Sequence, residues 1–230
     1  MTDFDLLISG GTVVTASDTY TADIGVQDGR IAAIASNLEC SNRHIDATGK
    51  FVLPGGVEAH CHIEQESGMG IMAADDYKSG SISAVFGGNT TIVPFAAQHR
   101  GQSLREVVQI YHERAEPKAV IDYAFHLIIS DPTERVLGQE LPALIKDGYT
   151  SFKVILTYPL LKLEDHEILN VLSVARENGA ITMVHAENDD IIRWLSDRLI
   201  EGGHVAPKYH AMSHARIAES EASNRAIQLA

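Results

Sequence analysis

The sequence predicts an α/β protein in which a small β-unit precedes a parallel sheet with helices between its strands. Short apolar runs separated by turn signals fill residues 1–50, and strand-like and helix-like stretches alternate after that point. From the second strand of this alternating region the strands recur about every 30 residues, the length of one βα unit. Because parallel neighbours need crossover connections, this repeat indicates a parallel sheet.

The first 50 residues have the pattern of β-hairpins. Asp28-Gly29 separates the apolar runs at 24–26 and 31–34, and an Asp-Gly pair between such runs is the strongest short hairpin signal. We therefore expect a small β-unit in this region.

Five strands are predicted after residue 50, and their apolar character on both faces is typical of strands buried on both sides. They cover residues 51–53, 90–93, 121–129, 151–156 and 181–184. Two architectures fit, an open doubly wound sheet and a (β/α)8 barrel, and five strands would leave a barrel cut after its fifth unit.

Helices are predicted between these strands from caps and apolar periodicity. Ser103 opens a capping box ahead of one apolar face, and Asp165 is expected to cap a helix that ends at Gly179. A third helix runs through residues 191–199 to Gly202-Gly203, and residues 213–230 are expected to be helical.

Composition excludes some partners. The chain has 230 residues, a net charge of −13 and no basic cluster, which speaks against a nucleic-acid groove. No signal peptide and no apolar run of about 20 residues is apparent, so no membrane partner is expected. The spacing of Cys40 and Cys61 is unlike a disulfide framework, which favours a reduced, cytoplasmic setting.

The strongest candidate for metal binding is the pair His60 and His62. Residues two apart on a strand point the same way, so the two imidazoles converge while Cys61 points to the opposite face. Such a pair can chelate a first-row cation. The alternative is two unrelated histidines, because a lone His-X-His motif is not specific.

Three further candidate side chains lie in or just after later strands. Lys153 lies in an apolar strand, where a charged ammonium is costly and burial favours the neutral amine; the alternative is a lysine whose charged end reaches solvent. His185 ends the fifth strand, and Tyr158 follows Lys153 in the sequence. Tyr158 is either a donor to a developing oxyanion or an ordinary packing residue. Sites form at strand carboxyl ends in both α/β architectures.

These motifs together resemble a known family. Residues 53–62, ending in His60-Cys61-His62, resemble the first-strand signature of the amidohydrolase superfamily. Residues 151–158 and 185–188 resemble its hydantoinase/dihydropyrimidinase branch, as do residues 10–14 and 28–31 near the amino terminus.

The resemblance implies a particular fold and metal site. It implies a partial (β/α)8 TIM barrel of about five units in residues 54–230, preceded by a β-sandwich portion in residues 1–53. It also implies two divalent ions, usually zinc: His60 and His62 hold one, His185 belongs to the other, and Lys153, carboxylated by carbon dioxide, bridges both. Tyr158 would polarise the scissile carbonyl.

The implied reaction is hydrolysis of a hydantoin or 5,6-dihydropyrimidine to an N-carbamoyl amino acid by a hydroxide that bridges the metals. The histidine and aspartate that the family places on the sixth and eighth strands are not found, and His204, His210 and His214 do not replace them convincingly. We therefore expect a truncated chain, inactive by itself, from an enzyme that is a dimer or tetramer at full length.

Alternative functions stay open within the superfamily. The dihydroorotase branch places an arginine two residues after its His-X-His motif, where this chain has Glu64, so an anionic ring is disfavoured. An allantoinase-like hydrolase and a non-catalytic scaffold remain alternatives, as does an unrelated α/β binding protein. His126 is expected either to be a core histidine or to line the barrel near the site. Glu187 and Asn188 are expected either to orient His185 or to cap a helix.

Overall fold

The computed structural model describes residues 4–39, 43–67 and 70–230, so that Cys40 lies outside the described residues. The chain forms two compact units, Met1–Gly56 and Val57–Ala230. The sequence analysis drew the boundary after residue 53, and its assignment of a sandwich and a hydrolase barrel to the two parts stays a prediction.

The first unit contains a five-stranded sheet. Its strands are β1 (Leu6–Val14), β2 (Thr19–Gln27), β3 (Arg30–Ala35), β4 (Arg43–Asp46) and β5 (Phe51–Val52). The order is β3-β2-β1-β4, with β5 also paired to β1. Val13, Ala22 and Ile24 form the buried cluster of this sheet.

The hairpin expected at Asp28-Gly29 is confirmed. The two residues join β2 to β3 at the pair Gln27–Arg30, and their φ angles are 51° and 71°. Positive φ at both central positions is the signature of a type I′ turn, whose twist matches that of the flanking strands.

The second sheet is the larger one. Its strands are β6 (Gly56–Cys61), β7 (Asn89–Ala97), β8 (Asp122–Tyr123), β9 (His126–Ile128), β10 (Ser151–Ile155) and β11 (Ile181–His185). The order is β11-β10-β9-β7-β6, with β8 also paired to β7. The pairs β7–β8, β7–β9, β9–β10 and β10–β11 are parallel, as the βα repeat predicted, and the sheet curls as half a barrel does.

Two predicted strands were assigned wrongly. Residues 51–53 were expected to open the repeat, but β5 pairs in parallel with β1 of the small sheet, and β6 is the strand that carries the histidine motif. The predicted strand at 121–129 is divided into β8 and β9, because Ala124 and Phe125 leave the ladder between them. The apolar run alone could not reveal either feature.

Helices connect the strands. They are α1 (Tyr77–Phe86), α2 (Leu104–Ala115), α3 (Leu141–Lys146), α4 (Asp165–Asn178), α5 (Asp189–Glu201), α6 (His210–Ser213) and α7 (Arg216–Leu229), with a π-helical segment at Val136–Glu140 and a 3-10 turn at Pro207–Tyr209. Over the described residues, none of these helices is both long enough and apolar enough to cross a bilayer.

Several predicted helix ends are confirmed. Ser103 is the N-cap of α2, and Gly179, at φ 72°, ends α4 in the left-handed conformation. Asp165 is not the cap of α4, because Glu164 takes that place and accepts from the backbone at Glu167. The helical stretch predicted from residue 213 begins instead at Arg216, after the short α6.

Strand register divides the large sheet into two faces. Phe152 is aligned with Leu127 of β9 and packs with it into the main core under the helices. Lys153 is aligned with Ile128 and Met183, and successive side chains on a strand point to opposite faces. Lys153 therefore shares its face with a small apolar cluster that contains Ile128, and this face carries the candidate site.

Candidate metal-binding active site

His60 and His62 converge on the ring of Phe95. Their ring centroids are 5.7 Å apart and lie 5.0 and 4.9 Å from the centroid of Phe95. Cys61, between them, packs against the main core on the other side of the sheet. The strand alternation that predicted this convergence is therefore confirmed.

Lys153 reaches the same place from β10. It is only 6% exposed, and its Nζ lies 4.3 Å from the Phe95 ring centroid and 3.4 Å from Nε2 of His60. Lys153 is the third residue of β10, so it lies within the strand and not at the carboxyl end where the site was expected to form. Its long side chain covers the remaining distance along the strand.

Burial favours the neutral forms of Lys153 and His62. Burial lowers the pKa of Lys153 from its usual range. Burial also lowers the pKa of His62, against the hydrogen bond that its Nδ1–H donates to Oε1 of Gln65, and the nearby Lys153, His60 and His185 lower it further by charge repulsion. Within the described ranges, no carboxylate forms a salt bridge with Lys153. A neutral amine at Lys153 is suited to reaction with carbon dioxide, and a neutral imidazole at His62 is suited to metal binding.

The donor set is incomplete as it stands. In the part of the chain that the structure describes, no three His, Cys, Asp or Glu side chains form a ready metal site. The imidazoles of His60 and His62 and the amine of Lys153 meet at Phe95. His185 lies at the end of β11 and is paired with Ile155, which points to the same face of the sheet as Lys153. A carbamate on Lys153 would add the oxygen ligands that the cluster lacks, so the residues fit a metal site only with that modification.

His185 is held by a carboxylate. Its Nε2 lies 2.8 Å from Oε2 of Glu187, while Oε1 of Glu187 lies 2.8 Å from Nδ1 of His214. Sequence reasoning named Glu187 as a partner of His185 but gave His214 no role. His214 is 27 residues away in sequence from Glu187, and no motif spacing signals their contact.

Tyr158 stands beside His185 in a strained backbone conformation. The two ring centroids are 5.3 Å apart, and Tyr158 has a φ of 64°. Its carbonyl accepts from the amides of Leu161 and Lys162, so the strained residue sits at a tight turn. Burial raises the pKa of Tyr158, as does the charge of Glu187, which keeps the phenol protonated at neutral pH.

Other predicted residues have structural partners. His126 lies on the face of the site, with its ring centroid 5.2 Å from that of Phe95, and its ring nitrogens contact Ser151 and the carbonyl of Ala59. Asn188 caps α5 by accepting from the amide of Ile191. His204 lies against Tyr209, with ring centroids 4.6 Å apart.

Glu64 is also committed to structure. One carboxylate oxygen lies 2.6 Å from Nζ of Lys118, and the other accepts from the amide of Tyr77. Glu64 therefore offers no free carboxylate to repel an anion, and only the lack of an arginine at this position disfavours one.

Comparisons with known proteins show similarity in sequence and in fold to hydantoinases and a dihydropyrimidinase. The chain is 46% identical over 226 residues to the D-hydantoinase of Geobacillus stearothermophilus, a match that covers 97% of this chain and 48% of the relative. It superposes on a solved D-hydantoinase with a TM-score of 0.95 and 41% identity, over 98% of this chain and 49% of the other. The dihydropyrimidinase of Brevibacillus agri NCHU1002 gives a TM-score of 0.93 at 42% identity, over 97% and 49% of the two chains.

These matches cover nearly all of this chain but only part of each relative. The chain spans about half the length of the relatives it matches. No protein-family model matches it.

Proposed function

Since the chain is homologous over nearly its whole length to the hydantoinase branch of the amidohydrolase superfamily, we propose that it is part of a metal-dependent cyclic amide hydrolase. The full enzyme would open a hydantoin or 5,6-dihydropyrimidine ring to an N-carbamoyl amino acid. The observation that carries this proposal is a buried lysine, Lys153, in contact with His60 of a His-X-His pair.

We propose a complete barrel for the full-length protein. Five strands of the curled sheet, counted from β6 to β11 along its main path, would be the first part of a (β/α)8 TIM barrel. The small sheet of residues 4–39 and 43–56 would be one layer of a β-sandwich. Segments outside these 230 residues would complete both, which accords with relatives of twice this length.

The proposed site would hold two divalent ions, and we propose zinc. His60 and His62 would bind one ion, His185 would bind the other, and modified Lys153 would bridge them. When bound, the ions supply an activated water nucleophile and polarise the substrate carbonyl. Neutral imidazole and anionic oxygen are ligands that zinc accepts.

Lys153 must first be modified. Its neutral amine attacks the carbon of carbon dioxide, a new N–C bond forms, and one amine proton is lost to solvent. One C–O π bond of carbon dioxide breaks, and the product is a carbamate anion whose two oxygen atoms replace the neutral amine as donors among the imidazoles. Burial that lowers the pKa of Lys153 supplies the neutral amine for this step.

Tyr158 would act on the substrate. Its protonated hydroxyl donates a hydrogen bond to the amide oxygen, which gains negative charge as the ring opens. Beside His62 lies a cavity of about 380 Å³ whose lining includes Gln65, Ile71 and Met72. We propose that this mainly apolar space receives the ring substituent of the substrate.

The oligomeric state and the cellular location of the full enzyme are also proposed. We propose a homo-oligomer, a dimer or tetramer, by likeness to the branch. A cytoplasmic location accords with Cys61 being a free thiol.

The test uses full-length protein supplied with Zn²⁺ and bicarbonate, assayed with both enantiomers of a 5-substituted hydantoin, with dihydrouracil and with allantoin. We expect ring opening of a hydantoin or dihydrouracil, two metal ions per chain, and the mass of carbon dioxide on the peptide that contains Lys153. Lys153→Ala should lower turnover at least about 1,000-fold and release metal, because the anion between the two cations is lost.

A matched control is Lys146→Ala, which removes an exposed lysine at the end of α3. It should keep normal turnover and metal content. Normal turnover and two tightly bound ions in Lys153→Ala would contradict the bridging role, and turnover of allantoin alone would replace the substrate assignment.

A further inference from the structure

We infer that Glu187 and His214 form a positioning pair that fixes the ring of His185 for metal binding. The inference rests on the proposed metal-dependent function. It adds two residues to the machinery, one of which, His214, lies outside the βα strand ends altogether.

The geometry is that of one carboxylate held between two imidazoles. Each oxygen of Glu187 has its own partner, His185 at Oε2 and His214 at Oε1, both at 2.8 Å. The side chain of Glu187 is only 19% exposed, and those of His185 and His214 are 31% and 24% exposed. Partial burial makes such hydrogen bonds stronger than they would be in water.

The contact with Glu187 fixes the tautomer and the orientation of the His185 ring. When Glu187 accepts from Nε2–H, that nitrogen carries the proton, and the lone pair is left on Nδ1 for a cation. A metal-ligating histidine commonly donates its other ring N–H to a carboxylate, which fixes the tautomer and raises the basicity of the ligand. Tyr158, whose ring centroid lies 5.3 Å from that of His185, further limits the motion of this ring.

His214 prevents Glu187 from turning away. Without it, Oε1 of Glu187 would have to find water, and the carboxylate would gain torsional freedom. His214 is itself supported, because its ring centroid lies 4.3 Å from that of His210. The amide of Asn188, next to Glu187, donates to the carbonyl of Ala218 in α7, so the backbone is tied to the same region.

The experiment measures Zn²⁺ affinity in the full-length protein by competition with a chromophoric chelator, together with the visible absorption spectrum of the Co²⁺-loaded form. Glu187→Ala and His214→Ala should each weaken Zn²⁺ binding about 10- to 100-fold and alter the Co²⁺ spectrum. His214→Asn, whose amide nitrogen can take the place of Nδ1, should recover affinity to within about threefold of the unaltered protein.

The double variant tests whether His214 acts through Glu187. Affinity in Glu187→Ala/His214→Ala should equal that of Glu187→Ala alone, since His214 has nothing left to hold. His204→Ala, a neighbouring histidine that lies against Tyr209, is the matched control and should bind Zn²⁺ normally. Thermal unfolding of the metal-free proteins separates loss of folding from loss of ligand positioning.

Two results would overturn the inference alone: unchanged Zn²⁺ affinity in both single variants, or fully multiplicative effects in the double variant. Failure of the unaltered full-length protein to bind any divalent ion would overturn the proposed function and this role with it. The two failures are distinguishable because the second is seen without any mutation.

Discussion

At the scale of single residues, Tyr158 has a strained backbone conformation and carries the phenol hydroxyl proposed to contact the substrate. A bulky side chain at a φ of 64° costs about 1–3 kcal/mol, and such outliers persist where the surroundings over-determine them. Here the turn that follows, with Leu161 and Lys162 donating to its carbonyl, fixes the backbone. This conformation places the ring beside His185, where the hydroxyl would be available to the proposed substrate.

Replacing the hydroxyl alone tests this role. Tyr158→Phe in the full-length protein should lower kcat about 100-fold or more, because one oxyanion donor is lost, while Zn²⁺ content stays unchanged. Steady-state kinetics with metal analysis measure both. Tyr209→Phe, in the turn at 207–209, is the control and should leave kcat intact.

A rise in KM with unchanged kcat in Tyr158→Phe would contradict transition-state stabilisation and leave substrate binding as its role.

Much of the candidate site could be predicted from residue types and strand alternation. His60 and His62 point the same way because of the two-residue period along β6, and Lys153 faces the same side of the sheet from β10, although β9 and β7 lie between the two strands. The contact between Glu187 and His214 could not be predicted, because it depends on how α6 and the following residues return to the sheet. Such tertiary contacts between side chains far apart in sequence leave no local pattern.

At the scale of elements, Asp23 secures the small sheet. It lies on β2, and its two carboxylate oxygens accept from the amides of Gly10 and Leu38, at 2.9 and 3.1 Å. Gly10, at φ 69°, lies where the β1–β2 register shifts, so a β-bulge is stabilised by a side chain of the neighbouring strand. The amide of Gly10 holds the pKa of Asp23 below its usual range.

Asp23→Asn should therefore destabilise the protein by about 1–2 kcal/mol at neutral pH, because charge-assisted hydrogen bonds are weakened. A carboxyl with a lowered folded pKa stabilises fully above its unfolded pKa and loses that effect as pH falls through the folded value. The difference between Asp23→Asn and the unaltered protein should thus close below about pH 4.

Urea unfolding at pH 7, 4 and 3 measures this difference, and Asp18→Asn, at an exposed turn, serves as the control. If the difference in free energy of unfolding between Asp23→Asn and the unaltered protein stays constant across this range, the loss is due to altered packing and not to the lost charge.

Local signals explain which elements were predicted. Ser103 and Gly179 marked helix ends correctly because caps are local chemistry. Helix α1 was missed because its sequence contains Gly80 and three serines, which are weak helix formers, and it depends on a capping box between Asp76 and Ser79. Strand β5 was misassigned because an apolar run does not reveal which sheet it joins.

At the scale of the whole molecule, the large sheet has two uncovered edges. In the described ranges β6 pairs with β7 and β11 pairs with β10, and neither has a partner on its other side. Apolar side chains are exposed there, Val57 at 61% and Ile181 at 66%. Unpaired edge strands with exposed apolar residues are templates for pairing with other chains. Barrel closure in the full-length protein would cover both edges.

Residues 1–230 produced alone should therefore self-associate at micromolar concentration, whereas the full-length protein should form a closed oligomer of fixed size. Ile181→Lys should raise the concentration at which residues 1–230 associate by about tenfold or more, because a charge on an edge strand opposes pairing. Ile227→Lys, which adds the same charge at a position of α7 that is 72% exposed, is the matched control. Sedimentation velocity measures association, and a monomeric 1–230 chain at about 100 µM would show that these edges are protected without the rest of a barrel.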